Sequence, residues 1–273
     1  MEINMKTPML NNILLKSLRD SKNVLLYWSI GIFLLAIYIM FVISEIPLEQ
    51  FQTIINSLPD ALGQFLGGSA GLDFSTIEGF LNAQIFTIMA PLIVIGIAIS
   101  SASKANAYEE TIKSLDIILS TPISRERFII EKILSMIIKV IFICAIHWLS
   151  YVLATLMFGL KMSFINLSIL CFQLGLMSIT FGLISLLIGT ITGSTSKSIG
   201  ITSSIGVASY LIANIAPLVD SINFTKFFSL FHYYKDSNPL MNGFHEWHWA
   251  VFIISSLMLT LLSVRFFKRR DLL

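Results

Sequence analysis

Six stretches of the chain are each long and apolar enough to cross a bilayer as a helix, and this limits every other aspect of the fold. A helical span needs about 20 mostly apolar residues, and residues 24–43, 85–103, 133–157, 164–191, 199–218 and 249–267 meet that need. What remains cannot cover a water-facing surface. Only 12% of the 273 residues are charged and 55% are hydrophobic, whereas a soluble domain carries about 25% charged residues. With a net charge of only +2, the composition excludes an ordinary soluble enzyme, a disordered chain and a nucleic-acid binder, which needs a basic surplus. The two cysteines, Cys144 and Cys171, lie in apolar runs and read as small core residues. The first span follows a polar or amphipathic leader, residues 1–23, and reads as a retained span and not a cleaved signal.

The expected fold is therefore all-α integral membrane, a single transmembrane domain over residues 1–273 with six transmembrane helices. Six spans put both termini on one side. The N-terminus, the second and fourth loops and the C-terminus, with Lys139 near the start of span three, hold 15 of the 18 Lys and Arg. The other three loops hold Lys161, Lys226 and Lys235. Because Lys and Arg mark the cytoplasmic side, both termini are expected in the cytoplasm. With no organelle signal in the sequence, the expected location is the cell membrane.

Outside the spans, Leu10, Ile13, Leu14 and Leu18 fall at helical spacing beside Lys16, Arg19 and Lys22. This predicts an amphipathic N-terminal helix lying in the cytoplasmic interface. The outer loop over residues 44–84 has short apolar pieces broken by Pro59 and several glycines, which predicts short helices resting on the outer leaflet. The outer region 219–248 is aromatic, with Phe224, Phe227, Phe228, Phe231, Tyr233 and Tyr234 among its residues. It reads as an interfacial belt, since such rings favour the membrane boundary. Pro91 removes one hydrogen bond from span two and is expected to kink it. Small residues crowd span five, and Gly189 and Gly193 form a GxxxG pair, features that suit close packing within the chain or between subunits.

Several apparent sites fail on chemistry. His245, Glu246 and His248 resemble a zinc motif, but the histidines are three apart where HExxH needs four. The run Gly193 to Ser198, G-S-T-S-K-S, lacks the glycine that a phosphate-binding loop places before its lysine. His147 and Gln173 lie well inside spans three and four, and intramembrane polar groups are functional candidates. Here they read as interhelical hydrogen-bond partners. Lys139 lies close enough to the cytoplasmic end to snorkel. The spans hold no carboxylate, which a proton- or sodium-coupled carrier usually needs at mid-depth.

The most informative segment is residues 104–132. Ile112, Leu115 and Leu119 share one helical face while Glu109, Lys113 and Asp116 share another, and Thr121-Pro122 marks a helix stop and restart. An amphipathic helix held there at the cytoplasmic surface can seat its apolar face in a partner's groove. The run Ala107-Tyr108-Glu109-Glu110-Thr111, then Leu115-Asp116-Ile117-Ile118-Leu119-Ser120-Thr121-Pro122-Ile123-Ser124-Arg125, then Lys132, resembles the signature of ABC type-2 transporter permeases. The ending Arg265-Phe266-Phe267-Lys268-Arg269-Arg270-Asp271-Leu272 resembles the common tail of that family. The outer stretch Phe231-His232-Tyr233-Tyr234, followed by Pro239-Leu240 and Gly243, resembles the family's loop before its last span. The family's glycine after the paired glutamates is missing here.

The resemblance implies an ATP-driven ABC transporter, with this chain as permease and separate cytoplasmic ABC ATPase subunits, two of them, as partners. A second permease copy or paralogue would complete the translocation path, and export is the expected direction. The chain itself would be no enzyme and bind no cofactor, with ATP and Mg held on the ATPase. Residues 104–132 would carry the coupling helix. By position, Glu109, Glu110, Leu115, Asp116, Leu119, Ser120, Pro122 and Arg125 are the expected ATPase contacts or their supports. The alternatives are a stand-alone secondary carrier and a membrane scaffold or sensor without an ATPase partner. Spans rich in Ile, Leu and Phe suit a lipidic cargo and plain lipid contact equally.

Overall fold

The computed structural model describes residues 13–45, 48, 53, 74–105, 124–236, 238–243 and 247–269. Nearly all of these are helical, and none of the described residues lies in a strand. The long helices are α1 (Ile13–Glu45), α2 (Ile77–Ser103), α3 (Arg125–Met157), α4 (Phe164–Thr192) and α5 (Thr195–Ile215). Two short helices, α6 (Leu230–Lys235) and α7 (Pro239–Asn242), precede the last long one, α8 (His248–Arg269). Helices α1, α2, α4 and α8, and α5 with its 3₁₀ extension to Leu218, are long and apolar enough to cross a membrane. The remaining expected span, residues 133–157, falls inside α3.

The separate N-terminal interfacial helix expected from the sequence is not what the structure shows. From Ile13 the chain runs as one 33-residue helix into the first apolar stretch, because no proline or glycine between Ser21 and Tyr27 breaks it. At about 1.5 Å per residue it is roughly 50 Å long, well beyond the hydrocarbon thickness of about 30 Å. Its extra turns lie along α3. Leu14 N–H donates to Glu131 Oε2 at 3.2 Å, and Ser135 Oγ donates to Ser17 Oγ at 2.9 Å. Near the other end, the Phe41 and Phe158 rings lie 6.0 Å apart. These nearly constant offsets make α1 and α3 parallel.

Helices α2 and α4 are parallel by the same reasoning. Ser163 N–H donates to Glu78 Oε1 at 3.2 Å near their starts, and Ser185 Oγ donates to the Ile99 carbonyl at 3.4 Å near their ends. Helix α4 is the centre of the bundle, packing on α2, α3, α5 and α8. Its most apolar window is 67% buried, against 22% for α1 and 17% for α8. Gly182 permits the closest approach: a Cβ built there would run into Met136 Sδ of α3 and lie 3.2 Å from Ala98 Cβ of α2. Gly193 has a conformational role of its own. It ends α4 as a left-handed cap with φ 63°, and Ser194 then caps α5.

Pro91 has a local effect other than a simple kink. The helix rewinds into a π-helical stretch over Asn82–Met89 and returns to α geometry from Ala90. In the wide register Ala90 N–H reaches the Ile85 carbonyl, so the Phe86 carbonyl would take its bond from residue 91, a proline without an N–H. The Tyr234 hydroxyl of α6 donates to that carbonyl at 2.8 Å. Thr87 Oγ1 likewise turns back onto the Asn82 carbonyl at 2.8 Å. The aromatic outer region is thus only partly an interfacial belt. Phe224, Phe227 and Phe228 are exposed, while Phe231 and Tyr234 are buried in the core between the long helices.

Two stability changes follow from this packing. Gly182→Val is expected to lower the thermal unfolding midpoint in detergent by an overpacking cost of about 1–3 kcal/mol. Gly200→Ala, where an added Cβ meets nothing within 4 Å, should not lower it. Tyr234→Phe keeps the ring but leaves the Phe86 carbonyl unpaired, at a cost of about 1–3 kcal/mol in the same measurement.

Candidate functional site at the lysine-rich end of the bundle

The start of α1, the end of α2, the start of α3 and the end of α8 meet at one end of the bundle. Ser124 caps α3, its hydroxyl accepting the Arg127 N–H at 3.2 Å. Arg127 Nε pairs with Glu131 Oε1 at 2.7 Å. Through its other oxygen, Glu131 takes the Leu14 N–H, so one carboxylate satisfies a backbone donor of the first turn of α1. Helix α8 closes against the same place. Lys268 pairs with Glu126, and the Phe267 ring stacks on Phe128 at 5.7 Å with both rings buried. The ammonium of Lys132 lies 5.5 Å over the Phe128 ring.

The segment expected to carry the coupling helix joins the end of α2 to the start of α3. Of the expected contact residues, Arg125 is placed as the first residue of α3, partly buried. Glu109, Glu110, Leu115, Asp116, Leu119, Ser120 and Pro122 lie outside the described residues, as does the expected Thr121 cap. The residue that caps α3 is Ser124.

Behind these ends lies a cavity of about 690 Å³ between α1, α2 and α3, with Lys16, Lys104, Lys132 and Lys139 in its lining and Asp20 the one acid among its described residues. Lys139 does not snorkel out. It is 3% exposed, and its ammonium donates to Ser17 Oγ at 3.2 Å. The snorkelling expectation fails because α1 extends past this level and covers it. The signal that could have revealed this was the uninterrupted helical run from residue 13 into the first span.

The two intramembrane polar candidates part company. His147 is buried in α3, and its Nδ1 meets the Ile143 carbonyl of its own helix at 3.0 Å. The interhelical role expected for it is therefore not the bond seen. Gln173 of α4 donates from Nε2 to the Tyr233 carbonyl of α6 at 2.8 Å, so it does join two elements.

At the opposite end, His232 and His248 flank Asp236, with Nδ1 of the first 3.9 Å from one carboxylate oxygen and Nε2 of the second 4.0 Å from the other. His245 and Glu246 lie outside the described residues, and no described group of His, Cys, Asp and Glu is arranged to hold a metal. Lys235 reaches back to α5, its ammonium donating to Asn214 Oδ1 at 2.5 Å and lying 5.8 Å over the Tyr210 ring. Burial pulls the Lys235 ammonium from its ordinary 10.5 down to about 8.

An all-helical bundle with this hydropathy is a multi-pass membrane protein. The family model described as ABC-2 family transporter protein matches residues 11–272, and the chain belongs to that family. It is thus of the ABC-2 permease type, the membrane component of transporters that generally work with ABC ATPase partners. Among curated proteins none matches the chain.

The depressed Lys235 sets a pH dependence. Between pH 8 and about 10.5 the unfolded chain holds this proton more tightly than the folded one, so the Lys235 contribution to stability rises with pH through that window. The wild-type unfolding midpoint is expected to gain on that of Lys235→Met as pH is raised from 8 to 10, and a constant difference would refute the assignment.

Proposed function

We propose that the chain is the permease subunit of an ATP-driven exporter of the cell membrane. Six helices cross the bilayer with both termini in the cytoplasm. The translocation path forms with a second permease copy or a paralogue, and two cytoplasmic ABC ATPase subunits, carrying ATP and Mg, drive it. The observation that carries this reading is the shared location of the starts of α1 and α3 and the ends of α2 and α8 at the lysine- and arginine-rich end. The coupling segment enters and leaves there. The excess of Lys and Arg supports placing that end in the cytoplasm.

A push on the segment would reach the rest of the chain through two fixed points. The end of α2 is tied to α4 through the Ser185–Ile99 bond, and the start of α3 is tied to α1 and α8 through Glu131, Glu126 and Phe128. Helix motions of this kind switch the exposure of a path because packed interfaces are bistable. Support for a second permease comes from α5. Its Ser198, Thr202 and Ser209 are buried within the chain, while Gly200, Ser204 and Ala208 lie on an exposed small-residue stripe suited to close helix approach. Export is the direction that the resemblance implies.

The test is purification of the tagged protein from its native membrane in mild detergent. The expected result is a stoichiometric ATPase subunit and ATP hydrolysis, both lost on Glu110→Lys or Leu119→Asp while the permease stays folded. Recovery of a folded protein without an ATPase partner in several mild detergents would overturn the reading and favour a carrier or scaffold.

A further inference from the structure

We propose that the cavity between α1, α2 and α3 binds a phosphate-bearing amphiphile, an anionic phospholipid whose headgroup meets the lysines and whose acyl chain follows the apolar wall. Among the described residues, four lysines and one aspartate line this space. Lys139 is the decisive one. The residue is almost wholly buried, and its ammonium has the Ser17 hydroxyl as hydrogen-bond acceptor and forms no ion pair with a described carboxylate. Asp20 offsets only part of the positive charge of the four ammonium groups in this lining, and burying charge that is not fully compensated is costly, so an anion entering the cavity lowers that cost. Ammonium groups bind phosphate well as point charges.

The lining also has a direction. Along α1, Lys16, Ser17 and Asp20 come at the outer turns, and Val24, Leu25 and Trp28 follow. Helix α2 runs the opposite way, so its Ile93 and Ile97 stand deep while Ser100, Ser101 and Lys104 stand at the mouth. Both walls therefore pass from charged to apolar over roughly 18 Å of helix. That gradient fits a molecule with an anionic head and a hydrocarbon tail, and a free anion would use only its outer part. Gly96 keeps the apolar part open, since a Cβ built there meets nothing within 4 Å. Basic pockets between membrane helices on the cytoplasmic side are known to hold anionic headgroups. The assignment does not depend on an ATPase partner, and only the leaflet that supplies the lipid rests on the orientation proposed above.

The test is native mass spectrometry of the purified chain in detergent, titrated with phosphatidylglycerol, phosphatidylcholine or inorganic phosphate. Phosphatidylglycerol is expected to stay bound where phosphatidylcholine does not, and inorganic phosphate should fail to displace it. Lys139→Met, and separately Lys16→Gln with Lys104→Gln, should each weaken phosphatidylglycerol binding about tenfold or more, the size expected for lost charged contacts. Gly96→Leu should weaken it by filling the tail channel without touching a charge. Lys16 and Lys104 are exposed at the mouth, so their replacement reads the site even where Lys139→Met fails to fold. Equal binding of both lipids, indifference to all these substitutions, or displacement by inorganic phosphate would each overturn the proposal.

Discussion

The whole structure depends on the absence of water from the bilayer, which leaves every backbone polar group to find its partner within the protein. Helices meet that demand automatically, except where a proline removes a donor. Pro91 does so in the middle of α2, and the consequences extend across the fold. The helix widens into a π stretch, the Phe86 carbonyl is left over, and the Tyr234 hydroxyl must come inward to satisfy it. That bond helps hold α6 against the bundle. Phe231 follows Tyr234 into the core, and Gln173 and Lys235 fasten the neighbouring turns to α4 and α5.

The opposite end of the bundle is built from charge. There the carboxylates Glu126 and Glu131 tie α3 to α8 and to α1, and a buried stack of Phe128 on Phe267 lies beneath them. The two ends differ in a way that suits their neighbours. Aromatic rings with His232 and His248 gather at one end, while paired charges and a lysine-lined cavity lie at the other. The 33-residue helices α1 and α3, each roughly 50 Å long, exceed the hydrocarbon thickness of about 30 Å.

Much of this was legible in the sequence, and the boundary is physical. The apolar stretches are read directly because lipid selects for length and hydropathy alone: five of the six fall inside one long helix, and residues 199–218 run from α5 into its 3₁₀ extension. The segment between α2 and α3 reads as amphipathic and family-like, and seven of its eight named residues lie outside the described residues. Tertiary choices were not legible. Helical spacing at Leu10 to Ser21 could not say whether that helix stops at the interface or continues, and in the described residues it continues. Pro91 predicted a disturbance but not its form, because the answer depends on a tyrosine more than a hundred residues away. Aromatic composition could not separate rings that face lipid from the two that fill the core. His147 was expected to bond across helices, but its own i−4 carbonyl was the nearer partner.

The account rests most heavily on the claim that the lysine-rich end is where an ATPase subunit docks. The most direct measurement places a photo-crosslinking amino acid at Leu115 or Leu119, and separately at the exposed Phe224 of the opposite end, and identifies the products in intact cells. The account predicts an adduct with an ABC ATPase subunit from the first pair of positions and none from Phe224. An adduct from Phe224, or none from either loop position in a protein that still transports, would contradict it.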